Sequence, residues 1–294
     1  MKRNLLSQKA VLASLNFTGW TARRLDKKIT NEVNRSHGAS HDAGRYNKLL
    51  VGKNDLEAIQ KVISAARIKH YDMTQPWLDN GARILPSALY VEYSAAMRGF
   101  QRDYEIAIDD LITRWPEIVR EARGRLNGMF NASDYPPQSQ LRRLYTFDVK
   151  ILPCPDATDF RVDMADEHAD DIRADIEKRM KAALDDAMKE PMRRIIDVVG
   201  HMAERLKAYK PATRDGDKTE GSFRDSLVDN VISLVDLLPA FNLTNDAALA
   251  DVTARMQQEL CHTTAQELRD NPKTRKSVAK AAEAILADVT QFMS

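Results

Sequence analysis

Cysteine is nearly absent from this chain. Only Cys154 and Cys261 occur in 294 residues, more than a hundred positions apart. That spacing excludes a disulfide framework and a cysteine-based zinc site, and it suits a reducing compartment. Long apolar runs are missing too. None approaches the ~18 to 20 residues that a membrane-spanning helix needs, so no membrane partner is expected. The opening MKRNLLSQKAVLASLNF pairs basic with apolar residues, but Ser7, Gln8 and Lys9 interrupt the apolar stretch. It reads as a helix and not as a signal peptide.

Motifs of recognisable chemistry are also lacking. Gly52-Lys53 prompts a phosphate-loop check, yet Asn47 stands where glycine is required and Asn54 where Ser or Thr is required. His37 and His41 have the spacing of helical metal ligands, but Gly38 and Gly44 belong to a loop and no second ligand pair follows. The paired carboxylates Asp109-Asp110, Asp170-Asp171 and Asp185-Asp186 would project about 100° apart on a helix and read as solvated surface. Cys261-His262 has the same difficulty as a nucleophile and base. No serine elbow, homeodomain, zinc-finger or RNP pattern occurs. The chain is therefore read as non-enzymatic, with no catalytic residue, no metal site and no cofactor.

What is present is helical periodicity. With 43% apolar and 30% charged residues the chain is globular, and the fold class is mainly α, with a small β hairpin or sheet near residues 144–164. Residues 1–135 form a basic helical region, with a helix through GWTARRLDKKITNEVNR capped by Asn16 or Thr18. Its apolar stripe is Leu25, Ile29 and Val33. A loop at Ser36 to Gly44 precedes a helix capped by Asn54, whose buried face is Leu56, Ile59, Val62, Ile63 and Ala66. YDMTQPWLDNGARILP reads as an irregular connection, and Ser87 to Met129 as a long helix that Pro116 kinks or divides. Residues 136–165 form a Pro-rich β corner between two helical halves. Gln138 to Leu144 is a short helix there, Leu144 to Leu152 the best strand, and DFRVDM a second one.

Beyond the corner, residues 166–210 form one long helix with a kink at Pro191. Its unbroken seam, from Ile172 to Tyr209, approaches a coiled-coil pattern. Residues 222–294 carry three more helices: Phe223 to Leu238, Ala247 to Leu268 and Thr274 to Met293.

Charge is distributed unevenly. Residues 1–70 carry 14 Lys/Arg against 5 Asp/Glu, a net of +9; residues 71–150 carry 10 against 11, and residues 151–294 carry 20 against 27. A basic end points to a polyanion. Binding a nucleic-acid strand takes cations for its phosphates and aromatic faces for its bases. The candidate residues are Trp20, Arg23, Arg24, Lys27, Lys28, Arg35, Arg45, Tyr46, Lys48 and Lys53, with Tyr71 as a further stacking face. The expected partner is nucleic acid, single-stranded DNA before other types. The alternative is a helical scaffold or adaptor that self-assembles along the long seam, or binds a phage or host protein.

The corner segment FNASDYPPQSQLRRLYTFDVKILPCPDATDFRV, with ILPSALYVEYSAAMRGFQRDY before it and NFTGW near the start, resembles an uncharacterised family of mostly helical tailed-bacteriophage proteins. The resemblance spans roughly residues 16–165 and names no catalytic residue. It implies a phage or prophage origin, a bacterial host cytoplasm, and a place in phage DNA replication or recombination.

Overall fold

The computed structural model describes residues 5–78, 81–155, 166–212 and 219–293. The chain is mainly α, with small antiparallel pairings. It packs as two compact units that interleave along the sequence: residues 15–72 with 92–150, and residues 1–14 with 73–91 and 151–294. The first is called the basic unit here and the second the helical unit.

The N-terminus corrects the expected helix. Helix α1, Leu5–Lys9, stops after five residues, and Ala10–Thr18 is strand β1. Val11, Ala13, Leu15 and Phe17 alternate with Leu12, Ser14, Asn16 and Thr18, a period of two that a strand can use. A distant partner settles the choice. Strand β5, Arg83–Pro86, pairs antiparallel with β1 from Ala10↔Pro86 to Ala13↔Arg83. Strand β4, Gln75–Pro76, pairs with β5 in turn, so the connection expected to be irregular is partly sheet. Proline is tolerated in β4 because that strand is an edge. Strand β6, Thr146–Pro153, completes the order β4-β5-β1-β6 and coincides with the best strand read from the sequence. The second strand expected in DFRVDM lies outside the described residues.

In the basic unit, strands β2, Arg23–Leu25, and β3, Asn47–Leu49, flank helix α2, Lys27–Ser36. Helix α2 starts later than expected because Asp26 caps it: Ile29 N–H donates to Asp26 Oδ1 at 3.1 Å. Helix α3, Glu57–Asp72, follows a 3-10 turn at Lys53–Leu56. Asn54 is not its cap; Gly52 N–H donates to Asp55 Oδ2 at 2.7 Å and closes that turn instead. Ile59, Ile63 and Ala66 are buried on α3 as its periodicity requires. Helix α4, Tyr90–Leu126, runs undivided through Pro116. Leu111, Trp115 and Ile118 hold the buried face on both sides of the proline, and that packing outweighs the missing backbone donor. These side chains form one core with Leu50, Val51, Leu141 and Tyr145. Gln138–Leu144 is a 3-10 helix, as expected.

In the helical unit, α5 spans Asp166–Ala208 and contains Pro191. Around it pack α6, Ser226–Phe241, α7, Ala247–Leu260, and α9, Pro272–Met293. The α5 stripe from Met192 through Ile195, Val199 and Met202 to Leu206 shares one core with Val231, Leu238, Val252, Ile285 and Val289, while Met180 and Ala187 pack with Leu6, Ala10, Leu12, Ile84 and Leu243. The second half of the expected seam is thus a core of this chain, whereas Ile172 at its start is exposed. The helix expected over Ala247 to Leu268 breaks after Leu260, because Thr264 caps a short helix α8, Ala265–Asp270, by accepting from Glu267 N–H at 3.1 Å. Asn271 then caps α9, accepting from Lys273 N–H at 3.0 Å.

Lys210 and Glu220 form a two-way backbone bridge at 3.0 Å, followed by Gly221 at φ +62°. A Cβ at Gly221 would overlap the Ala208 carbonyl. Gly221→Ala is therefore expected to cost about 2 to 3 kcal/mol, from left-handed strain plus the clash. A lowered denaturation midpoint checks it; an unchanged one contradicts this backbone geometry.

Candidate nucleic-acid interface

The β2-α2-β3 segment is built mainly by polar contacts. Arg23 pairs with Leu49, Arg24 with Lys48 and Leu25 with Asn47, and Asp26 N–H extends the ladder to the Tyr46 carbonyl at 2.9 Å. Thr30 and Asn34 are the buried residues of α2. Thr30 Oγ1 donates to the Asp26 carbonyl at 2.7 Å and accepts from Tyr46 N–H at 3.0 Å. Asn34 Nδ2 donates to the His41 carbonyl at 3.1 Å, and Ala39 N–H donates to the Asn34 carbonyl at 2.8 Å.

The stripe expected to be buried is consequently not a buried face: Leu25 falls on β2, and Val33 on α2 points outward. Leu25 is 38% exposed, Val33 is 45% exposed, and Ile29 is half-buried. Three apolar residues do not set the helix phase here. The Asp26 cap and the return loop from His37 to Tyr46 do, by placing positions 30 and 34 inside.

Of the acids in this segment Asp26 turns inward, joined by the distant Asp134, while Glu32 and Asp42 stay exposed. Lys48 is 6% exposed, and its Nζ lies 2.8 Å from Asp134 Oδ2 and 3.3 Å from Asp26 Oδ2. It donates to the Met129 carbonyl at 2.9 Å as well. Burial alone would lower the Lys48 pKa, but Asp134 and Asp26 together hold it above the ordinary lysine value. The Asp26 carboxyl is held below its ordinary value chiefly by the Ile29 N–H bond, with Lys48 assisting against burial. Arg24 Nε stands 3.6 Å from Asp134 Oδ1 and its side chain remains 67% exposed.

Outside this network the cations are uncommitted. Arg23, Lys27, Lys28, Arg35, Arg45 and Lys53 are exposed, and among the described residues none has a carboxylate within ion-pair distance. Elsewhere in the basic unit such partners are common: Lys61 with Glu57 at 2.8 Å, Lys69 with Glu92 at 3.0 Å, Arg114 with Asp110 at 2.8 Å and Arg142 with Asp109. Lys27 and Lys28 open α2, where the helix dipole adds positive potential. Arg35 lies about 12 Å further along the helix.

Of the ten residues singled out from the sequence, eight stay at the surface and two do not. Trp20 is half-buried and meets Trp115 edge-on, with ring centroids 5.4 Å apart, as part of the core. Lys48 is spent on its two carboxylates. Tyr46, 39% exposed, is the stacking face that remains on this segment. Asp134 was missed by sequence reasoning, since nothing local ties position 134 to position 48. The exposed Leu25 and Val33 were missed because their spacing looks like that of core residues.

The other candidates stay apart. His37 and His41 are exposed beyond α2, and among the described residues no three His, Cys, Asp or Glu side chains converge as metal ligands. Asp110, Asp170 and Asp186 are ion-paired with Arg114, Arg173 and Arg193 on helix surfaces. Cys154 is buried, donates to the Ala10 carbonyl at 3.5 Å, and has its thiol pushed up to about 11 by burial, which suits packing and not attack. Among the described residues no helix is long and apolar enough to cross a membrane. By unit, 20 Lys/Arg face 15 Asp/Glu in the basic unit, a net of +5, and 24 face 28 in the helical unit, a net of −4. Comparison with family models, with curated proteins and with solved structures finds no match.

Proposed function

We propose that this chain is a non-enzymatic nucleic-acid-binding protein whose contact surface is the β2-α2-β3 segment. The observation that carries the reading is the separation of charge within it. Asp26 and Asp134 are drawn inward by Lys48, while six neighbouring cations are left exposed with no ion pair among the described residues. Arg23, Lys27, Lys28, Arg35, Arg45 and Lys53 hold phosphates, with Arg24 at their edge. Tyr46 stacks on a base, and this favours single strands because a duplex offers no free base face. Single-stranded DNA is the partner this surface favours, and phage replication or recombination is the setting that the sequence resemblance suggests. A scaffold assembling through the α5 seam has less behind it, because Met192 to Leu206 already face this chain's own helices and Met180 packs in a second core of the same unit.

Fluorescence anisotropy with single-stranded and duplex oligonucleotides of equal length, titrated across salt, tests the reading. Six phosphate contacts predict a slope of log K against log salt near −4 on the single strand. No binding at low salt, or a flat slope, would overturn it.

A further inference from the structure

A cleft of about 460 Å³ lies within the helical unit, between the end of α5 and the first half of α9. Lys207, Tyr209, Arg275, Lys276, Lys280 and Glu283 line it, together with apolar atoms of Leu206, Pro272 and Ala279. Four cations therefore face one carboxylate, and that carboxylate, Glu283, is already paired with Lys207.

Arg275 is the unusual member. It is 9% exposed, yet among the described residues it has no carboxylate partner. Its Nη1 donates to the Leu268 and Arg269 carbonyls at 2.9 and 3.1 Å, and its guanidinium lies 4.8 Å from the Tyr209 ring centroid. Those contacts fix the fork in place. Nε and Nη2 keep their donors, with no hydrogen-bond partner among the described residues. A buried cation balanced only by carbonyl dipoles and an aromatic face is costly to keep. Lys276 and Lys280, one turn apart on α9, repel each other and have no ion pair among the described residues. The N-terminus of α9 at Pro272 adds its dipole to the same space.

We propose that this cleft binds a small, multiply charged phosphate ester of about mononucleotide size. The volume is in the range of small-ligand sites. The arginine fork takes phosphate oxygens, the two lysines supply charge at the mouth, and the apolar wall covers the organic part. The phosphate could come from a free nucleotide or from the end of a nucleic-acid strand, and the competition described next separates the two.

Isothermal titration of the full chain with ATP, without divalent metal, is expected to show one equivalent bound, with inorganic pyrophosphate competing. K276Q/K280Q, both at exposed positions, should weaken ATP by at least about tenfold, the effect of one charge-assisted hydrogen bond. R275K keeps the charge but loses the fork and should weaken ATP by a similar factor, its folding checked by the denaturation midpoint. R23Q/K27Q/K28Q/R35Q should bind ATP like the wild type. Displacement of ATP from that fourfold variant by a single-stranded oligonucleotide assigns the phosphate to nucleic acid; failure to displace it assigns the phosphate to a free nucleotide. No ATP binding at millimolar concentration, or equal binding by K276Q/K280Q, overturns the proposal.

Discussion

R23Q/K27Q/K28Q/R35Q is expected to bind a single-stranded oligonucleotide about 10² to 10³-fold more weakly than the wild type near ~0.1 M salt, with the salt slope flattened by about 3. Each lost phosphate contact removes about 0.7 from the slope on a single strand. Four of them at that salt multiply to the stated loss. The fold should survive, because all four side chains are exposed and none has an ion pair among the described residues. The Asp26 cap and the buried Lys48 are untouched. Stability should even rise slightly, since Lys27 and Lys28 oppose the positive end of the α2 dipole. Weaker binding with an equal or higher denaturation midpoint separates a lost surface from a damaged fold. An unchanged slope would remove this segment from the account.

Lys48→Met should destabilise the basic unit by about 3 to 5 kcal/mol near neutral pH, although methionine matches the side chain's length and is apolar. The cost comes from what stays behind. Asp26 and Asp134, 14% and 9% exposed, would lose the buried cation they share, leaving only the largely exposed Arg24 beside Asp134 among the described residues. The pH dependence carries a sign that tests this cause. The folded-state pKa of Asp26 is depressed, so its contribution is present above the unfolded value and is lost as pH falls through the folded one. The folded-state pKa of Lys48 is raised, so its contribution is present below the unfolded value and is lost as pH rises through the folded one. The gap between the wild type and Lys48→Met is therefore widest near neutrality. It narrows as pH falls through the acid range, where Asp26 takes up its proton. Urea midpoints at pH 7 and pH 3 measure it. A gap that is constant with pH would mean that Lys48 acts through packing alone.

Parts of the molecule were legible in the sequence where one element settles its own state. The buried face of α3 follows from Ile59, Ile63 and Ala66, that of α6 from Leu227, Val231, Leu234 and Leu238, and β6 from its β-branched and aromatic run. Reading failed where a distant partner decides. Ala10–Thr18 is a strand because β5 pairs with it from more than sixty residues away. The stripe of α2 misled because its hydrophobic spacing is real but unused; Thr30 and Asn34 face inward to serve a return loop that no helical pattern anticipates. The basic segment could be read from charge alone, whereas the removal of Lys48 and Trp20 from its surface depends on Asp134 and Trp115, about ninety residues away in each case.

The most direct measurement is lysine acetylation read by mass spectrometry, with and without a single-stranded oligonucleotide. The account predicts that Lys27, Lys28 and Lys53 lose reactivity when the strand is added, while the exposed Lys61 and Lys150 keep theirs and the buried Lys48 reacts slowly in both states. Protection of Lys61 and Lys150 in place of those three, or no protection at all, would contradict it.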